Sequence, residues 1–270
     1  MNSNIPEKDD FYNYPDWKQS LLLCFILIGT HLLAGLVIVY LWSLFDAGEP
    51  PFWVMASSSM AANLFVIKYA LSKTDFPAGK YLGDKISDIS AYLVTLILIF
   101  GASIVISQVI NVLRLFFAAD IYQEIINSML AENIFAVLLV LVILPAILEE
   151  FIFRGIIFSG LYKNRGFKFA LIFSSFLFGL VHFNFVQGFS AFLTGLILGW
   201  LYWQYNSLII PIIAHGFNNL LSVIFNRFYF IPGYSFTTRV NFQPVGFTVL
   251  GLILLVIGIY FARKNARLQK

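Results

Sequence analysis

Two adjacent carboxylates, Glu149 and Glu150, lie in one of the most apolar stretches of the chain, Ala136 to Gly160. They are the only acidic residues after Glu132. Acidic groups inside a membrane-spanning segment are costly, so an adjacent pair indicates a functional site. Arg154 follows Glu150 by four residues, a spacing that allows an ion pair on one side of a helix. Glu149 is rotated by about 100° from Glu150 and can therefore face a cavity.

Two of the three histidines, His182 and His215, fall in the same half of the chain as the carboxylates. At about 1.5 Å of rise per residue, Glu149, His182 and His215 lie about 17, 20 and 11 Å from the inner ends of their predicted helices. Phe178 precedes His182 by four residues, and Asn219 follows His215 by four, so each pair shares a helix face. These spacings predict a wet pocket within the membrane that holds a carboxylate, two imidazoles and an amide.

The chemistry that these groups permit is hydrolysis. Glu149, next to His182, can act as a general base on a water molecule, and His215 with Asn219 can donate hydrogen bonds to a developing oxyanion. Alternatively, Glu149, His182 and His215 can ligate a zinc ion, which would activate the water itself. The sequence does not decide between direct water activation and zinc. It contains no HExxH motif, and asparagine would be an unusual fourth zinc ligand.

The composition predicts an all-α polytopic membrane protein with an intramembrane cavity. Hydrophobic residues make up 60% of the 270 residues and charged residues only 11%. Such a chain has apolar surfaces toward both lipid and core. With Cys24 as the one cysteine, an internal disulfide and a multi-thiolate metal site are excluded. Segments of sufficient length predict about eight transmembrane helices, at Ser20–Phe45, Phe52–Leu71, Ala91–Leu113, Ile134–Gly160, Phe169–Gln187, Phe189–Trp203, Leu208–Asn226 and Val245–Ala262.

The distribution of lysine and arginine predicts the orientation. If both termini are cytoplasmic, thirteen of these residues lie on the inner side and three on the outer side, with Arg154 inside a span. This is a clear excess of positive charge inside, and it supports an even number of spans.

Three further features concern single segments of the chain. Phe117–Ala131, between the third and fourth spans, has the pattern of an interfacial or an extramembrane helix. Gly195 and Gly199 form a GxxxG pair, which is typical of a close-packing face and also of membrane helices in general. His31 has no partner motif in the first span, and we interpret it as structural.

The polar residues resemble the three motifs of the CAAX protease and bacteriocin-processing (CPBP, or Abi) family of intramembrane proteases, which includes the type II CAAX prenyl endopeptidases. The family's EExxxR corresponds to Glu149 through Arg154, its FxxxH to Phe178 through His182, and its HxxxN to His215 through Asn219. All three motifs are intact, in order, and each lies inside a predicted span. The resemblance covers about Ile134 to Asn226.

The resemblance implies an eight-helix protein with a conical cavity open to the cytosol. It implies that Glu149 and His182 activate the water and that His215 and Asn219 stabilise the oxyanion. Glu150 and Arg154 would support the site, and Phe178 would shape it. We therefore divide the chain into residues 1–19, a cytoplasmic segment; 20–133, three transmembrane helices with their loops; 134–226, the catalytic core of four transmembrane helices; and 227–270, the last loop, the last helix and a basic cytoplasmic tail.

The expected function is that of a membrane (metallo)endopeptidase of the bacterial plasma membrane. Family members that mature prenylated proteins remove a short C-terminal peptide, and bacterial relatives are linked to bacteriocin self-immunity and peptide processing. The expected partners are a peptide or a prenylated or membrane-associated protein and the lipid bilayer, with no nucleic acid. The alternatives are a proton-coupled transporter, for which an inverted repeat and broken helices would be diagnostic, and a non-enzymatic bacteriocin-immunity protein.

Overall fold

The computed structural model describes residues 13–45, 50–74, 82–83, 86, 88–117, 128–235 and 240–268. Within these residues the fold is helical and contains no β-sheet, which confirms the predicted all-α class. The predicted helix at Phe117–Ala131 lies mostly outside the described residues. Eight helices of 14 residues or more follow one another as α1 Trp17–Ser43, α2 Phe52–Leu71, α3 Ile89–Arg114, α4 Ile134–Arg165, α5 Phe167–Leu180, α6 Phe185–Tyr205, α7 Ile209–Arg227 and α8 Val245–Leu268.

Seven of these helices are long and apolar enough to cross a membrane, as predicted for an integral membrane protein. The exception is α5, which has 14 residues. At 1.5 Å per residue it is about 21 Å long, whereas the hydrocarbon core of a bilayer is about 30 Å thick. The fifth predicted span therefore exists as a helix but is too short to cross the membrane by itself.

The predicted boundary between the fifth and sixth spans, at Gln187-Gly188, is wrong. The chain leaves helical geometry at residues 181–184, so α5 is the short helix and α6 the long one. Phe183 adopts a positive φ of 53°, which interrupts the helix. The Asn184 side chain then accepts a hydrogen bond from the backbone N–H of Gln187, with a distance of 3.0 Å, and so caps the start of α6.

Helix α4 contains two π-helical segments, Leu138–Ile143 and Phe151–Phe158. Between them, Pro145 has no N–H to donate to the carbonyl of Leu141 four residues earlier. The Asn219 side chain of α7 donates to this carbonyl instead, at 3.0 Å. The irregularity of α4 thus creates a hydrogen bond that joins the helices carrying the first and third motifs.

The largest apolar core cluster surrounds the C-terminal half of α4. Phe153, Phe158 and Leu161 of α4 are fully buried there, against side chains of α1, α2, α5 and α6. Helices α5 and α6 approach closely at Gly179 and Gly188, where a Cβ on Gly179 would lie 2.5 Å from the Gly188 carbonyl oxygen. The hairpin that carries His182 therefore depends on glycines at its crossing point.

We expect Gly179→Ala to destabilise the protein by about 1–3 kcal/mol, because the added methyl group must push α6 away from α5. Thermal unfolding of the purified protein in detergent would show a lower midpoint. The matched control is Gly29→Ala in α1, where a Cβ would meet no atom within 4 Å. Equal midpoints for the two variants would contradict the close packing of α5 on α6.

Candidate active site

One carboxylate oxygen of Glu150 joins two helices. Arg154 Nη1 donates to Glu150 Oε1 at 2.7 Å, and both side chains are fully buried. His215 Nδ1 of α7 lies 2.8 Å from the same oxygen. The predicted ion pair between Glu150 and Arg154 is therefore present, and it also holds the imidazole of the third motif.

The guanidinium of Arg154 contacts two more helices. Its Nη2 donates to the Gly195 carbonyl of α6 at 3.1 Å. Its Cζ lies 4.6 Å from the centroid of the Phe178 ring on α5, a cation–π distance. A Cβ on Gly195 would lie 3.3 Å from both Nη2 and the Phe178 ring, so Gly195 gives the guanidinium its space. The GxxxG pair thus includes a close-packing glycine.

Phe178 lies between the two histidines. Its ring centroid is 5.2 Å from that of His182 and 5.7 Å from that of His215, with interplanar angles of 84° and 82°. Because Phe178 is buried and also contacts Arg154, it can move little. Its ring therefore fixes the positions of both imidazoles, which is the packing role expected from the sequence.

Glu149 has the opposite environment from Glu150. Its side chain is 25% exposed, and its Oε2 lies 4.0 Å from His215 Nε2. His215 thus presents Nδ1 to Glu150 and Nε2 toward Glu149. His182 Nδ1 lies 2.8 Å from the Phe178 carbonyl, which leaves its Nε2 available to the cavity. Glu150 is thus buried between Arg154 and His215, whereas Glu149 is accessible from a cavity.

Two cavities meet at His182. The first has a volume of about 200 Å³ and is lined by His182, His215, Phe178 and Asn219 among others. The second has a volume of about 310 Å³ and is lined by Glu149 and His182 among others. The sequence predicted one pocket for all these groups, whereas the structure distributes them over two adjoining cavities that share His182.

Asn218 and Asn219 both line the first cavity, although only Asn219 belongs to the third motif. The Asn219 amide nitrogen already donates one hydrogen to the Leu141 carbonyl. An amide NH₂ has two hydrogens, so one N–H remains for another acceptor.

His31 and Asn63 line the second cavity beside Glu149, although neither belongs to one of the three motifs. His31 also makes structural contacts, because its Nδ1 lies 2.8 Å from the Leu27 carbonyl and its Nε2 2.9 Å from Ser59 Oγ. Its depth within α1 was the available signal. The sequence offered no motif to pair α1 with α4.

Catalytic zinc takes three ligands from the protein. Glu149 and His215 approach each other, but no three His, Cys, Asp or Glu side chains in the described ranges are grouped closely enough for one ion. Because Glu149, His182 and His215 do not form that set here, we derive no mechanistic step through a metal. The zinc site stays a prediction.

Comparisons with known proteins match the core of this chain. Residues 131–221 match the family described as "Type II CAAX prenyl endopeptidase Rce1-like", and this range contains all three motifs. A protein of Bacillus subtilis (strain 168) named "Putative membrane peptidase YdiL" is 39% identical over 82 residues, which are 30% of this chain and 34% of that relative. The match thus spans about a third of the relative's length. No solved structure matches this chain.

Arg154→Ala should destabilise the protein by about 3–5 kcal/mol, because it leaves the Glu150 carboxylate buried without its cation. Arg165→Ala, at the exposed end of the same helix, serves as the control and should cost less than about 1 kcal/mol. Chemical or thermal unfolding in detergent measures both.

A double variant separates lost charge compensation from lost packing. Glu150→Leu combined with Arg154→Leu removes both charges and should be more stable than Arg154→Ala. If Arg154→Ala unfolds at the same midpoint as Arg165→Ala, the buried pair does not organise this site.

Proposed function

We propose that this integral membrane protein, whose core resembles the CAAX protease and bacteriocin-processing family, is an intramembrane endopeptidase that hydrolyses a peptide bond with an activated water. The observation that carries the proposal is the distance of 4.0 Å between Glu149 Oε2 and His215 Nε2, which line two adjoining cavities that His182 lines as well. This separation is too long for a direct hydrogen bond and short enough for one water to contact both groups.

Glu149 acts as the general base in this proposal. It takes a proton from the water, assisted by His182, which lines both cavities. The water oxygen attacks the carbonyl carbon of the substrate. His215, with a proton on each ring nitrogen, and the remaining N–H of Asn219 donate to the oxyanion that forms. Glu149 then gives its proton to the leaving nitrogen as the C–N bond breaks. The products are a new carboxylate and a new amine.

The supporting residues keep these groups in place. Glu150, neutralised by Arg154, fixes His215 through Nδ1, and the Phe178 carbonyl fixes His182 through its Nδ1. In each ring the other nitrogen is thereby directed to the reacting centre. A ring oriented before substrate binds loses no free energy to orientation during the reaction.

The substrate class follows from where the site lies. Glu149, His215 and Asn219 lie within helices long enough to cross the membrane, and His182 lies in the break between α5 and α6, so we propose a peptide or a prenylated or membrane-associated protein as substrate. We further propose that the protein resides in a bacterial plasma membrane with both termini in the cytoplasm. The basic residues at the helix ends near the termini support that orientation.

The proton-coupled carrier is the second candidate, and one observation favours it. Helix α5 ends within the membrane, and α6 begins beside the cavity, which is a form of broken helix found in transporters. The peptidase relatives favour the hydrolase instead. A non-enzymatic immunity protein would keep its protective effect after Glu149 is replaced, whereas the hydrolase would lose cleavage.

We expect Glu149→Gln to lower the cleavage of membrane-associated peptides by about 10²–10⁴-fold, the range for loss of a general base. The purified protein is incubated with such peptides, and mass spectrometry identifies the products. Glu132→Gln removes an exposed carboxylate by the same change and should leave the rate unaltered. If Glu149→Gln and Glu132→Gln cleave equally well while both remain folded, Glu149 is not the base.

Metal removal tests the choice between direct water activation and zinc. Because no step above uses a metal, we expect the rate to survive dialysis against 1,10-phenanthroline, and elemental analysis to find no stoichiometric zinc. A rate that falls on dialysis and returns with added zinc would establish the zinc alternative.

A further inference from the structure

The first cavity reaches one end of the helix bundle. Its lining includes Arg114, the last residue of α3, Asn226 in the last turn of α7, and the segment 233–235 after α7. Its deepest residue on α7 is His215, six residues from the start of that helix. None of its described lining residues comes from the opposite end of the bundle, where α3 and α7 begin.

The route from this end to the site is polar. Hydroxyl and amide side chains of three helices line it, including Ser107, Asn111, Gln187, Ser190, Ser222 and Asn226. From His215 to Asn226 the route follows α7 for eleven residues, or about 16 Å. Side chains of this kind would be costly against lipid, and they fit a water-filled path.

The short helix α5 explains the opening. It starts at the end of the bundle where α4 finishes and stops after about 21 Å, so about 9 Å of the bilayer core has no helix at this position. The backbone at residues 181–184 is irregular within the membrane. Irregular backbone at this depth is tolerated only where it is buried or lines a water-filled cavity. His182, which lies in this segment, lines both cavities.

The charges identify which side of the membrane this end faces. At the cavity end, the described basic residues are Arg114 and Arg227. At the opposite end, the described part of the chain contains many more, including Lys18, Lys68, Lys73, Lys163, Arg165, Lys168, Arg263 and Lys264. The basic end of a membrane protein is cytoplasmic, so the cavity end is the extracytoplasmic one.

We propose that the site takes its substrate from the extracytoplasmic side, and that the substrate is an extended segment of an exported, membrane-associated peptide. Hydroxyl and amide side chains along the route can hydrogen-bond the main chain of such a segment. This inference rests on the proposed peptidase function. It reverses the cytosolic opening that the family resemblance implied, and it excludes a C-terminal peptide presented from the cytosol.

Single-cysteine variants test the direction of access. Cys24 is buried, and Cys24→Ala supplies a background without thiols. Ser222→Cys and Asn226→Cys each place a thiol in the cavity. Phe230→Cys, at an exposed position just after α7, and Lys264→Cys, at an exposed position near the end of α8, mark the two sides. The membrane-impermeant reagent is 2-sulfonatoethyl methanethiosulfonate, applied to intact bacterial cells or to inside-out vesicles.

After this treatment the protein is denatured and exposed to a fluorescent maleimide. A thiol that the first reagent has modified cannot react with the maleimide, so modification is measured as lost fluorescence. We expect Ser222→Cys, Asn226→Cys and Phe230→Cys to lose their fluorescence when intact cells are treated, and Lys264→Cys to lose it only in inside-out vesicles. Cavity thiols that react only in inside-out vesicles, from both sides, or from neither side would each overturn the proposal. If Phe230→Cys and Lys264→Cys exchange sides, the orientation is reversed and the proposal also fails.

This experiment is independent of catalysis. The labelling pattern requires no cleavage, and Glu149→Gln introduced into the same variants should not change it. A protein that labels from outside but cleaves no peptide would refute the proposed function while leaving the direction of access intact. A protein that cleaves peptides, but whose cavity thiols react only in inside-out vesicles, would support the proposed function and refute access from the extracytoplasmic side.

Discussion

A single buried oxygen, Glu150 Oε1, holds the candidate site together. It accepts from Arg154 of its own helix and lies 2.8 Å from His215 of α7. Arg154 in turn donates to the Gly195 carbonyl of α6 and lies over the Phe178 ring of α5. Four helices thus meet at one ion pair. A carboxylate and a guanidinium buried among apolar side chains carry a large desolvation cost, so each needs the other, and the helices that carry them must pack in one arrangement.

That arrangement gives two adjacent glutamates different tasks. Glu150 is fully buried, and its Oε1 contacts Arg154 and His215, while Glu149, about 100° around the helix, faces a cavity that His182 also lines. The same oxygen that neutralises Arg154 also turns the His215 ring so that its other nitrogen points toward Glu149. The carboxylate that faces the cavity therefore lies near an imidazole whose position is set by the buried carboxylate.

The sequence was sufficient for the features that depend on spacing along a helix. The four-residue interval predicted the pair of Glu150 and Arg154, and the composition predicted the helical membrane fold. It could not show that Glu150 also binds His215, because that contact depends on how α4 and α7 pack. The π-helical turns of α4 and the break before Asn184 were also hidden, since they arise from backbone geometry that hydropathy does not record. For the same reason the sequence could not show that His31 shares a cavity with Glu149, although the depth of His31 within α1 was visible.

In the proposed mechanism, a water molecule that Glu149 deprotonates attacks the peptide carbonyl directly. The most direct test is a single turnover in water enriched in ¹⁸O, with enzyme in excess over peptide, followed by mass spectrometry of both product and enzyme. Direct attack places one ¹⁸O in the new C-terminal carboxylate of the product and none in the Glu149 side chain. Label in the Glu149 carboxyl group would indicate a covalent acyl intermediate on that residue and would contradict the mechanism.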